Sequence, residues 1–101
     1  MDAMWFLEGV GADGSHVVHA LDALPAHVGR EPGHELVLPG RGLSRRHAEL
    51  SEDVSGRLRV TDLNSTNYTR VDGAKLEPNI ATPLKDGSRL QFGRVAMTFR
   101  S

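Results

Sequence analysis

The stretch Arg41–His47, RGLSRRH, places three arginines, a serine and a histidine within seven residues, just ahead of an apolar/polar alternation. VGRE at 28–31 and TDLNSTNYTRVDG at 61–73 are likewise polar out of proportion to their neighbours, as is LKDGSRLQFG at 84–93. Together they hold the parts of an anion receptor. Arg30 carries a planar fork that can bind two oxygens of one phosphate. Ser44 and Thr66 supply hydroxyl donors, and Arg45 and Arg46 add positive charge. The Asn67 amide can both donate and accept, which suits gripping a peptide backbone. The set is suited to holding an anion, and none of these groups is an evident nucleophile paired with a base.

Three other chemistries fit less well. Ser44, His47 and Asp62 contain the residue types of a hydrolytic triad, which is recognised by geometry rather than order. The Gly-x-Ser-x-Gly elbow is missing, however, so His47 is expected to be a buried brace that ties loops together. His16 and His19 lie three apart. In a strand that spacing points them to opposite faces, so they cannot chelate one ion. His27 and His34 add no ligand spacing, so no metal or other cofactor is expected. A nucleic-acid partner is disfavoured by a net charge of −1 and an aromatic content of 5%, which leave neither a basic track nor a stacking platform. The basic charge is local: residues 30–47 hold four arginines against two glutamates.

These groups need elements to position them. The 101 residues suit one domain, read as 1–101 with its core at about 5–99. With no cysteine there is no disulfide framework and no thiolate zinc site. No apolar run approaches the ~20 residues of a membrane span, and the start MDAMWFLEGV lacks the basic flank of a signal peptide. A cytoplasmic protein with no membrane partner is expected. The 11 glycines and 5 prolines punctuate the chain at short intervals, which favours many short strands. Period-two alternation predicts strands in MWFLEG, HVVHAL, AHVGR, HELVL, RHAELSE, GRLRVTDL, YTRV, AKL, SRLQFG and VAMTFR, with Asp72-Gly73 as a two-residue hairpin turn. Only HALDALPAHV approaches a helical period, and Pro25 interrupts it. The expectation is an all-β sandwich or barrel. In a sandwich, loops cluster at the two ends, and the polar stretches at 28–31, 43–50 and 61–73 can converge on one of them.

The motifs Gly29-Arg30, Ser44-x-x-His47, Asp62-Leu63-x-Ser65-Thr66-Asn67-x-Thr69, Asp72-Gly73, Leu84-x-Asp86-Gly87 and Phe92-Gly93 occur in this order. The chain in this respect resembles a forkhead-associated (FHA) domain over about residues 5–99. The resemblance implies an antiparallel β-sandwich of about eleven strands that binds phosphothreonine peptides through loops at one end. It implies that Arg30, Ser44 and Thr66 meet the phosphate, that Arg45 meets phosphate or peptide, and that Asn67 holds the peptide backbone. Gly29, His47, Asp62 and Ser65 are implied to support the site, and Arg46 is left without a role. The partner is then a phosphothreonine protein marked by a Ser/Thr kinase, and the domain is not an enzyme. A phospho-independent interaction or scaffold domain is the alternative. One position departs from the family: Tyr68 stands where glycine is usual. A tyrosine held at the positive φ that glycine permits is strained, and its ring can line the peptide groove.

Overall fold

The computed structural model describes residues 4–10, 14–31, 36–37 and 42–101. Among them there are eleven strands and no helix. The strands are β1 (Phe6–Val10), β2 (His16–Ala20), β3 (Ala26–Gly29), β4 (Leu36–Val37), β5 (Ala48–Glu52), β6 (Leu58–Asp62), β7 (Thr69–Val71), β8 (Ala74–Lys75), β9 (Thr82–Pro83), β10 (Arg89–Phe92) and β11 (Val95–Arg100). They form a six-stranded sheet in the order β2-β1-β11-β10-β7-β8 and a five-stranded sheet in the order β4-β3-β5-β6-β9. Every pairing is antiparallel except β3–β4, where Val28 and Gly29 run parallel to Leu36 and Val37.

The predicted alternation places the core. Leu7, Leu90, Phe92, Met97 and Phe99 from the first sheet meet Ala26, Val28, Ala48, Leu50, Leu58 and Val60 from the second, all buried. Period two makes this possible, because one face of each strand carries the apolar set. Burying a Leu, Val or Phe contributes about 1.5–3 kcal/mol each. In β6, Asp62 follows Leu58 and Val60 on the same inward face and is 1% exposed. That burial of a carboxylate brings polar chemistry to the end of the core.

The strand readings largely match, with differences at the short elements. HALDALPAHV divides into β2 and β3, joined through a cis Leu24–Pro25 bond. The reading HELVL is described only at Leu36–Val37; residues 34, 35 and 38 lie outside the described residues, as do residues 11–13 of the GADGS turn. Strand β9 was not predicted. Two residues, one of them proline, give no alternation to detect, and Thr82 and Pro83 are defined only by pairing with Val60 and Arg59. Proline is tolerated there because β9 is an edge strand. The Asp72-Gly73 turn joins β7 to β8 with φ of 50° and 86°, the double positive φ of a type I′ hairpin.

Candidate functional site

Strands β3, β5, β6, β7 and β10 bring the loops carrying the predicted residues to one end of the sandwich. The anchoring begins with the backbone. His47 N–H donates to Val28 O (2.8 Å), Arg30 N–H to Ser44 O (3.2 Å), and Leu63 N–H to His47 O (3.0 Å). Segments 28–30, 42–47 and 62–69, distant in sequence, thereby share one rim.

His47 is fully buried. Its Nδ1 accepts the Ser44 backbone N–H at 3.0 Å, so the ring proton sits on Nε2, which donates to Tyr68 O at 2.9 Å. The ring also meets Phe92 edge-on, with centroids 5.9 Å apart and planes at 88°. Burial holds the His47 pKa below its ordinary value, against the opposing pull of the Tyr68 carbonyl and the Asp62 charge. The imidazole is thus a neutral brace between two loops. Its nitrogens engage backbone groups, and Asp62 is occupied elsewhere, so the Ser44–His47–Asp62 wiring is not that of a nucleophile and its base.

Asp62 organises the second loop. Its Oδ1 accepts from the Ser65 hydroxyl and, at 2.7 Å, from the Thr69 hydroxyl, while Oδ2 accepts the Ser65 N–H at 3.1 Å. Burying a carboxylate is costly without such donors. Ser65 and Thr69 are themselves buried, so the three side chains form a closed cluster beneath the exposed tip at Thr66 and Asn67. The tip is tied across to the other loop: Thr66 N–H donates to Ser44 Oγ (3.0 Å), and Asn67 Nδ2 donates to Gly42 O (3.1 Å).

The exposed surface of this rim carries the predicted residues. Arg30 is exposed, and its Nε donates to Leu43 O at 3.1 Å. That bond orients the guanidinium plane and leaves the Nη donors for another acceptor. Ser44 Oγ spends a lone pair on Thr66 N–H and retains its own proton to donate. Arg45 and Arg46 are exposed next to it. Gly29, at the end of β3, is buried. The structure therefore assembles Arg30, Ser44, Arg45, Thr66 and Asn67 on one rim, over a support made by His47, Asp62 and Ser65.

Two further features shape the rim, the first without a functional reading in the sequence. A Cβ at Gly93 would overlap Gly42 O, so the β10–β11 turn presses directly on the loop that receives Asn67. Gly93 also has φ of 60°, and its N–H donates to Tyr68 O at 3.0 Å. Phe92-Gly93 was legible as a motif, but its contact with Gly42 spans loops that only the fold brings together. The second feature is Tyr68. The non-glycine residues with positive φ among the described ones are Asn64, Tyr68, Asp72 and Asn79. Asn and Asp tolerate that region, but a tyrosine at φ 67° is strained. The expected strain is present, and Asn67 still reaches Gly42. The Tyr68 ring is 43% exposed and lies beneath the Lys75 ammonium, whose Nζ is 3.9 Å from the ring centroid.

The histidines singled out for metal lie apart. His16 and His19 fall on opposite faces of β2, one exposed and one half-buried, and His34 lies outside the described residues. His27 pairs across strands with Glu49 at 3.1 Å. Among the described residues no cluster of three or more acidic or histidine side chains is arranged to hold a metal ion, and no helix is long and apolar enough to cross a membrane.

Comparison with known proteins agrees with this architecture. Over 79 residues the chain is 33% identical to the oxoglutarate dehydrogenase inhibitor of Corynebacterium glutamicum, covering 78% of this chain and 52% of that protein. It thus spans about half the length of that relative. Among solved structures it is similar to the FhaA FHA domain, determined in complex with the intracellular domain of Rv3910. That match has 31% identity, a TM-score of 0.79, and covers 95% of this chain and 99% of that one. It is also similar to Mycobacterium tuberculosis EmbR in complex with a low-affinity phosphopeptide. Here identity is 26%, the TM-score is 0.81, and the match covers 97% of this chain but 24% of that chain. The sequence profile of the FHA domain matches residues 26–93, the segment that carries the whole rim, and the chain belongs to the forkhead-associated domain family.

Proposed function

We propose that this chain is a phosphothreonine-binding module, that Arg30, Ser44, Arg45 and Thr66 hold the phosphate, and that Asn67 holds the backbone of the bound peptide. The observation that carries the reading is the rim itself. Ser44 Oγ and Gly42 O tie the tip of one loop to the other, and Arg30 is anchored through Nε to the neighbouring carbonyl of Leu43. The donors are fixed before the ligand arrives, which lowers the ordering cost of capture. Phosphothreonine brings a charge of about −1.5 to −2 and three acceptor oxygens, matching an arginine fork flanked by hydroxyl and backbone donors. The role is binding rather than catalysis. The partner is a protein phosphorylated by a Ser/Thr kinase on the cytoplasmic side, and the output is its recruitment.

Calorimetric titration with a degenerate phosphothreonine peptide library and its unphosphorylated twin tests this. Binding is expected only for the phosphorylated library. Arg30→Ala, which removes hydrogen bonds to a charged group worth roughly 1.5–3 kcal/mol each, is expected to weaken it more than about tenfold. Equal binding of both libraries, or full binding by Arg30→Ala, contradicts the reading and favours a phospho-independent interaction domain.

A further inference from the structure

Unfavourable local choices coincide in the β7–β8 hairpin, immediately after Asn67. Tyr68 holds a left-handed backbone conformation at φ 67°, which disfavours a tyrosine. Arg70 and Lys75 lie directly opposite each other across the hairpin, an arrangement in which like charges repel. Among the described residues neither reaches a carboxylate. Gln91, which faces Arg70 from β10, is neutral. Such departures from local preference tend to persist where function requires them.

The side chains share one face. Thr69 is buried, so its strand neighbour Arg70 projects to the opposite side. Lys75 pairs with Arg70 and stands on the same face, with its ammonium 3.9 Å above the Tyr68 ring centroid. The ring positions that ammonium by its negative face without neutralising it. The result is a half-exposed ledge of two uncompensated cations and an aromatic plate, continuous through the chain with the rim at Thr66 and Asn67.

We propose that this ledge is a second anion subsite, and that it takes an acidic side chain, aspartate or glutamate, of the same peptide whose phosphothreonine occupies the rim. This rests on the phosphothreonine reading above. A carboxylate placed between Arg70 and Lys75 relieves their repulsion, so the ledge contributes to binding only when the partner supplies the charge. Selectivity of this kind follows from the difference between matched and mismatched partners.

The test uses alanine-flanked phosphothreonine peptides that carry one aspartate at each flanking position in turn, titrated calorimetrically at low salt. The readout is the affinity of each aspartate peptide relative to the all-alanine phosphothreonine peptide on the same protein. For the native chain the ratio is expected to reach roughly fivefold at one or two neighbouring positions, the scale of one or two exposed ion pairs. In Arg70→Gln/Lys75→Gln it is expected to fall to about one. In Arg70→Glu/Lys75→Glu the preference is expected to reverse, with lysine in place of aspartate now favoured. A ratio of one at every position in the native chain overturns the subsite, as does a preference that survives both double variants. A parallel series with phosphoserine at the same positions separates the two anions: gain with phosphoserine and none with aspartate overturns the carboxylate assignment. If the native chain binds no phosphothreonine peptide, the phosphothreonine reading falls and the ledge falls with it. If the all-alanine peptide binds but aspartate adds nothing, the ledge alone is lost.

Discussion

Strands β5 and β6 end in two different kinds of construction. At one end they are joined by the turn from Asp53 to Arg57, where Asp53 Oδ1 accepts from Ser55 N–H, Ser55 Oγ and Arg57 N–H at 2.7–2.9 Å. Partners there are two to four residues apart, and the cluster is solvated. At the other end, His47 and Leu63 open onto the rim. There the linking side-chain bonds join partners 13 to 25 residues apart, and the supporting polar groups, His47, Asp62, Ser65 and Thr69, are buried. A turn needs only to reverse the chain, which a local motif does cheaply. A binding rim must hold donors from separate segments at fixed positions. Long-range hydrogen bonds do this at the surface, over a support of buried polar groups whose own bonds are costly to leave unmade. The difference between the two ends is the difference between closing a chain and preorganising a site.

The largest test of this contrast is His47→Ala. It removes a fully buried ring packed edge-on against Phe92, deprives Ser44 N–H of its acceptor, and leaves Tyr68 O with Gly93 N–H as its remaining donor. The transfer, cavity and unsatisfied-donor costs together are expected to lower stability by about 3 kcal/mol. Urea unfolding should report a lower midpoint with an unchanged slope. A loss under about 1 kcal/mol would show that the rim does not depend on its brace.

A smaller effect is expected from pH, and it acts on the same residue. Burial holds the folded His47 pKa below its ordinary value of 6.5. In the unfolded chain the imidazole binds a proton below that pH, while in the folded chain it stays neutral. Stability is therefore full above about pH 6.5 and declines as pH falls through the interval between the two values. The difference in unfolding free energy between the native chain and His47→Ala should be largest above pH 7 and narrow toward pH 5. Subtraction cancels the other histidines. A difference that stays constant across this range would mean that His47 titrates normally and is not held by the rim.

The same division explains what could be read from the sequence. Alternation in AELSE, LRVTD, RLQF and VAMTFR gave the inward residues directly, because strand period is a local property. Asp72-Gly73 gave the hairpin for the same reason. The rim residues were legible as motifs, with their types and order intact, and Tyr68 stood out as a residue in a glycine's place. Their wiring was not legible. That His47 bonds the Ser44 backbone and Tyr68 O, or that Gly93 needs no side chain because Gly42 lies against it, depends on contacts created by the fold. Strand β9 was missed because two residues carry no period. Arg70 and Lys75 belong to no motif, and their direct opposition on one face, beside the Tyr68 ring, arises only in the fold.

The smallest expected effect comes from the solvated turn. Asp53→Ala removes the acceptor that closes residues 53–57, but every group it frees can turn to water. A fall in melting temperature of only about 3 °C is expected, with phosphothreonine-peptide affinity unchanged, since the turn lies at the opposite end of β5 and β6 from the rim. Its pH window is also different. The Arg57 N–H, followed by the Ser55 hydroxyl, holds the Asp53 pKa below its ordinary value of 3.8. Its contribution is therefore present above about pH 4 and is lost as pH falls below that value. The stability difference between native chain and Asp53→Ala should stay flat from pH 8 to 5, the interval in which the His47 difference narrows, and disappear only in acid. Two differences that narrowed together would mean that the ends are energetically coupled. Separate windows would locate the long-range cooperativity in the buried network beneath the rim.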